Sequence, residues 1–184
     1  VENQIVGALF FTVGLFTVCT MNFQLYTGRV CYLFENDKNY ALQLPLIWLG
    51  NLTGTVLTAR LLMLTRIAPK LAGSAVLLCE TKLSDNLGSS FLLAIFCNLL
   101  IFIAVDGFKH HSHEIGKYLG LFFGVVAFIL CGFEHCVANM YFFTIGGVWS
   151  LRTLLYILVM TLGNSVGGLV LPLLRRLAGD ARQA

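Results

Sequence analysis

A chain of 184 residues that is 58% hydrophobic and 11% charged, with a formal net charge of +3 and a mean hydropathy of +0.83, is far from a soluble domain, where about a quarter of residues are charged. This balance defines an integral membrane protein. It excludes a nucleic-acid partner, because the few cations sit in short connections and a tail rather than in a basic stripe interleaved with stacking aromatics.

A hydrocarbon core of about 30 Å takes about 20 residues of helix, and five stretches meet that length: 5–23, 41–64, 86–105, 116–148 in broken form, and 151–174. The chain opens at Val1 without the charged region and apolar core of a signal peptide, and reads as beginning partway into a longer protein. The first span runs into "NFQLYTGRV", and the second carries "GNLTG" (Gly50 to Gly54). A charged connection, "TRIAPKLAGSAVLLCETKLSD", leads to the third, which holds "AIFCNLL". The connection "DGFKHHSHEIGK" leads to the fourth, interrupted by "GFEHCVANMYFF", and the fifth carries "GNSVGG". Summed over alternate connections, Lys and Arg favour the side with Arg29, Lys38, Lys109, Lys117, Arg175, Arg176 and Arg182 over the side with Arg60, Arg66, Lys70, Lys82 and Arg152. The positive-inside rule then puts the C-terminus in the cytoplasm.

The fourth span poses the functional question. Glu134, His135 and Asn139 stand inside an apolar run, and ionisable residues at such depth face a cavity, a partner or a pathway. The echo of "GNLTG" by "GNSVG", each preceded by a polar-interrupted segment, is the sign of an inverted-repeat channel or transporter with its pathway at the breaks. The expected fold is therefore an all-α, aquaporin-like inverted-repeat bundle with two broken helices. Equivalent halves would need a further helix before Val1, so five of six spans would be present.

At "GFEHCVANMYFF", "QLYTGR", "AIFCNLL" and "GNSVGG" the sequence resembles the formate/nitrite transporter family, over most of the chain from about Phe11 to Gly168. That resemblance implies a homopentamer in a prokaryotic-type plasma membrane, each protomer with its own pore for a small monovalent anion such as formate, nitrite or hydrosulfide. It implies that Thr27 and His135 form the central pair at the two breaks and that Lys82 stands at the vestibule. It also implies that Leu15, Leu25 and Tyr26 form the cytoplasmic constriction, and Phe11 and Phe128 the outer one. Gln24 stands where many members have Glu, and Tyr26 where many have Phe.

Residue chemistry supplies roles for these positions. Thr27 offers a hydroxyl, and His135 a ring N–H or a transient proton. Helix N-termini at the breaks add oriented N–H groups that offset the cost of dehydrating an anion. His135 is expected to stay mostly neutral and to act as a transient proton donor, so that flux responds to pH. A carboxylate on an anion pathway repels its cargo, so Glu134 reads as structural, bonding loop backbone N–H groups. Asn51 and Asn164 read as ties between broken helix and neighbour, and Asn98 and Asn139 as further polar groups near the permeant. Lys82 would concentrate anions at the mouth. The glycine elements at 50–54 and 163–168 read as close-packing surfaces. Two other classes remain: a membrane enzyme using Glu134, His135 and Cys136, and a water or small-solute channel, which the lack of paired N-P-A elements disfavours. The three histidines of "KHHSHE" read as a solvated loop, and the six cysteines as small buried hydrophobes; no metal or cofactor is expected.

Overall fold

The computed structural model describes residues 3–179; Arg182, counted above for orientation, lies outside them, as does Val1. Among these residues the regular structure is helical: α1 (Gln4–Thr20), α2 (Tyr26–Val30), α3 (Lys38–Leu62), α4 (Ala68–Ser84), α5 (Leu87–His110), α6 (Glu114–Leu130), α7 (Cys136–Ile145) and α8 (Leu151–Leu177). A 3-10 turn, Leu33–Glu35, separates α2 from α3.

Helix starts follow from short polar side chains that satisfy the orphan N–H groups of a first turn. Asn3 accepts from Ile5 and Val6, Asp37 from Tyr40, and Asn86 from Ser89. Ser150 and Thr153 form a reciprocal capping box at the start of α8. Helix α5 packs along both α6 and α8, α1 packs on α6, and α3 on α7. Leu87–His110 and Leu151–Leu177 are each long and apolar enough to cross a bilayer.

Three boundaries differ from the sequence reading for physical reasons. The 68–84 segment, read as a connection, is helical because Leu71, Ala75 and Cys79 repeat at four-residue spacing and pack inward, with Pro69 in the first turn where its missing N–H costs nothing. Helix α5 continues past 105 to His110 because Asp106 is accommodated inside the bundle: Arg175 Nη1 donates to its Oδ2 at 2.6 Å, and its Oδ1 lies 3.0 Å from His110 Nδ1. Helix α1 stops at Thr20, short of 23, because Asn22 turns left-handed (φ 54°) and the N–H of Phe23 returns to the Val18 carbonyl at 2.9 Å.

That helix stop recurs in the second interrupted segment. After α6, Gly132 turns left-handed (φ 68°) and the N–H of Phe133 returns to the Phe128 carbonyl at 3.0 Å. Glycine adopts this conformation without a Cβ clash. Both interrupted segments therefore begin with the same cap, then run extended through Leu25 or His135 before the next helix starts.

Candidate functional site

The asparagines of the two echoing elements clamp these breaks in matching fashion. Asn51 Oδ1 accepts the N–H of Tyr26, the first residue of α2, at 2.8 Å, and Asn51 Nδ2 donates to the Gln24 carbonyl at 2.9 Å. Asn164 Oδ1 accepts the N–H of Cys136, the first residue of α7, at 2.9 Å, and Asn164 Nδ2 donates to the Glu134 carbonyl at 2.9 Å and to Ala94 O at 2.8 Å. An amide is suited to this because it accepts and donates at once. The helix-start N–H groups of Tyr26 and Cys136 are thus occupied by side chains rather than offered to a passing anion.

Between the clamps the two breaks meet. Thr27 Oγ1 lies 3.0 Å from His135 Nε2, with both residues buried. His135 Nδ1 accepts the Ala138 N–H at 3.1 Å and so caps α7. A ring nitrogen that accepts carries no proton, so the neutral ring bears its hydrogen on Nε2 and donates it to Thr27. Placing a second proton on Nδ1 would break the cap and orphan the Ala138 N–H.

His135 lines a cavity of about 450 Å³ together with Phe11, Leu15, Leu25 and Phe128. Phe128 stacks on the His135 ring at 5.9 Å and meets Phe11 edge-on at 5.9 Å. A second cavity of about 310 Å³ lies toward the end of the bundle that holds the C-terminus of α8, here called the tail side; Leu15, Val18 and Leu25 border both spaces. Thr27 is fully buried behind the histidine.

Other expected site residues are placed differently. The Tyr26 hydroxyl lies 2.8 Å from Ser165 Oγ, and its ring borders a groove between α3 and α8 with Trp48 and Leu158, away from both cavities. Lys82 Nζ donates to Glu134 Oε2 at 2.5 Å, with side chains only 11% and 6% exposed, so its charge is compensated inside the protein. Glu134 serves that ion pair and the Asn139 amide, which donates to the same oxygen at 2.6 Å, rather than loop backbone N–H groups. Asn139 also faces Met160 Sδ at 2.9 Å. Asn98 Nδ2 donates to the Thr27 and Asn164 carbonyls at 3.0 and 2.7 Å, tying α2 to α8. Both asparagines are buried in the scaffold behind His135.

The enzyme reading has no geometry to support it. Both ring nitrogens of His135 are engaged with Thr27 and Ala138, and Glu134 is held by Lys82 and Asn139. Cys136 is fully buried, and among the described residues its thiol makes no hydrogen bond to His135 or Glu134, as a nucleophile with an oriented base would.

Arg29 and Lys109, which count in the sequence toward orientation, are two further residues of the site. Both border the tail-side cavity. The available signal was the arginine immediately after "LYTG", two residues beyond Thr27.

A helical bundle in which two helix breaks meet on one buried histidine, which lines one cavity while a second adjoins it across the Leu15 and Leu25 wall, is the design of a membrane transport protein. Comparison with known proteins identifies which kind. The family described as Formate/nitrite transporter matches residues 2–177. The chain is 32% identical to a probable formate transporter of Methanothermobacter thermautotrophicus, over 91% of this chain and 72% of that protein. It is 28% identical to the nitrite transporter NirC of Salmonella typhimurium, over 92% of this chain and 68% of that protein. Its fold matches a structure described as an FNT family ion channel with a TM-score of 0.81 at 24% identity, covering 96% of this chain and 77% of that one. It also matches one described as a pentameric formate channel with formate bound, with a TM-score of 0.80 at 21% identity, covering 97% and 84%. The chain belongs to the formate/nitrite transporter family.

Proposed function

We propose that this protein conducts small monovalent anions of the formate and nitrite class across a membrane, along a path through the two cavities and past His135. The observation that carries the reading is the meeting of Thr27 and His135 at 3.0 Å where both breaks converge, beside the Leu15 and Leu25 walls that the two cavities share. An anion leaving water there loses several kcal/mol of hydration. The groups available to offset that loss are the His135 ring and the Thr27 hydroxyl. Rotation of the ring off Thr27 would free the Nε2 hydrogen for the anion while Nδ1 keeps the α7 cap. Proton transfer needs one step more: the ring first takes a proton from water on Nδ1, releasing the Ala138 N–H, and the resulting imidazolium then gives one proton to the anion, so that the cargo crosses as the neutral acid and the ring returns to neutral, the route to a pH-dependent flux.

The architecture follows the same logic. The matching caps at Asn22 and Gly132 and the matching clamps of Asn51 and Asn164 support an inverted repeat with its pathway at the repeat interface. In one half, Gly163 and Gly167 press against the backbone of α5 at Phe91 and Ile95. In the other, Gly50 and Gly54 face open space. A sixth helix packed on that face, as α5 packs on α8, would complete the repeat and wall the path between α1 and α3. The exposed apolar residues Leu42, Leu46, Leu49 and Leu57 on α3 suit such packing or contact with lipid and neighbouring protomers. The pentameric relative supports a homopentamer, and the excess of Lys and Arg at the tail side supports a cytoplasmic C-terminus in a plasma membrane.

Blocking the shared wall tests the path. Formate and nitrite uptake into proteoliposomes is expected to be rapid for the wild type and to fall at least tenfold for Leu25→Trp in folded, oligomeric protein. Uptake unchanged by Leu25→Trp would place the path elsewhere.

A further inference from the structure

We infer that the tail-side cavity is itself an anion-binding site, built by Arg29 and Lys109, and that the protein gathers its cargo preferentially from that side. Both side chains border one space of about 310 Å³ that adjoins the constriction at Leu15 and Leu25. Their charges are not neutralised: among the described residues, the carboxylate ion pairs involve Lys82, His110, Lys117 and Arg175, and neither Arg29 nor Lys109. Arg29 Nε is buried and has no hydrogen-bond partner, so no acceptor among the described residues offsets its charge there.

The surrounding groups hold these cations in place without cancelling them. The Arg29 guanidinium lies over the Tyr40 ring at 5.1 Å, while the Tyr40 hydroxyl donates to the Arg29 carbonyl at 2.6 Å. Lys109 Nζ sits over the Tyr32 ring at 3.8 Å. Such contacts orient a cation and leave its full charge. The nearby buried carboxylate, Asp106, is already held by Arg175 and His110, and Glu35 stands exposed on the 3-10 turn. The opposite arrangement holds for Lys82, whose partner Glu134 neutralises it. Of these three cations, the tail-side pair keeps its charge and Lys82 does not. A guanidinium offers several N–H donors in a plane that fits a carboxylate or nitrite, and an ammonium adds a point charge. Small monovalent oxyanions are the class that matches.

The preference for tail-side cargo rests on the channel reading; the site does not, and the experiment separates them. Crystals of the protein soaked in sodium bromide are to be examined by anomalous scattering, with formate as competitor, for the wild type, Lys109→Gln, Arg29→Gln and Arg29→Lys. A bromide peak between Arg29 and Lys109 that formate displaces, that Lys109→Gln removes and that Arg29→Lys retains supports the site. No peak there in the wild type, or a peak unaffected by Lys109→Gln, overturns it; Arg29→Lys and Lys109→Gln decide the matter if Arg29→Gln fails to fold. In oriented bilayers, the formate concentration for half-maximal tail-side current should rise about tenfold in Lys109→Gln, the loss of one charge-assisted contact, with little change from the other side. Equal shifts on both sides would refute the preference. A bromide site in a protein that carries no formate current would leave the site standing and remove the channel reading.

Discussion

Replacing Lys82 with glutamine separates two accounts of that residue. If it were a free attractor at the mouth, its loss would reduce flux and leave the fold intact. The structure instead places its ammonium on Glu134 Oε2, with the pair nearly buried and the same oxygen receiving Asn139. Removing the lysine leaves a carboxylate inside the protein with one amide hydrogen bond. Breaking one side of such a pair costs about 3–5 kcal/mol, a large share of the roughly 5–15 kcal/mol typical of a folded domain. Lys82→Gln is expected to lose that much stability in denaturant unfolding of the detergent-solubilised protein. Glu134→Gln should behave similarly, while Lys82→Gln with Glu134→Gln together recovers most of the loss, because no unpaired charge remains. A Lys82→Gln protein within about 0.5 kcal/mol of wild type, the level of a neutral surface change, but with reduced flux, would refute the pairing argument and restore the free-attractor role.

Other outcomes follow from the same geometry. Asn164→Ala leaves the Cys136 N–H and the Glu134 carbonyl without partners and should cost about 2–6 kcal/mol, at roughly 1–3 kcal/mol per buried unsatisfied group; Asn51→Ala removes two bonds at a more exposed place and should cost less in parallel unfolding curves. Thr27→Val orphans the His135 Nε2 hydrogen and should destabilise by about 1–3 kcal/mol, whereas Thr27→Ser should restore both stability and flux in the same preparations. Gly167→Leu drives a side chain into the Ile95 backbone and should prevent folding, as read by size-exclusion profile; under the repeat proposal, a helix packed on Gly54 would make Gly54→Leu equally damaging.

The helical class and the place of the two breaks were legible because their signals are local, whereas Thr27 and His135 are named as a pair only through the resemblance to the formate/nitrite transporter family. Apolar runs of membrane length, polar residues inside them and the "GNLTG" and "GNSVG" echo need no knowledge of packing. Helix α4 was missed because its inward stripe of Leu71, Ala75 and Cys79 is flanked by Lys70, Glu80 and Lys82, which give the segment the look of a connection. The role of Lys82 was hidden for a different reason. Its partner lies 52 positions away, and a charge's effect on a passing anion depends on whether a counter-charge is folded against it. Arg29 and Lys109 show the converse. Each reads as an ordinary basic residue near a helix end, and only the fold reveals that tyrosines rather than carboxylates meet them. The family resemblance implies a constriction role for Tyr26, but the clamp on its N–H and the Ser165 contact turn its ring to the α3–α8 groove.

The central claim is that anions pass His135 and exchange hydrogen bonds or a proton with it. Its most direct test is unidirectional formate and nitrite flux into proteoliposomes across a pH series, for the wild type and His135→Ala, with oligomeric state checked in both. The account predicts rapid wild-type flux that changes with pH beyond the protonation of the substrate itself, and a variant that loses either the flux or that pH response. Equal flux and equal pH response in the two proteins would contradict it.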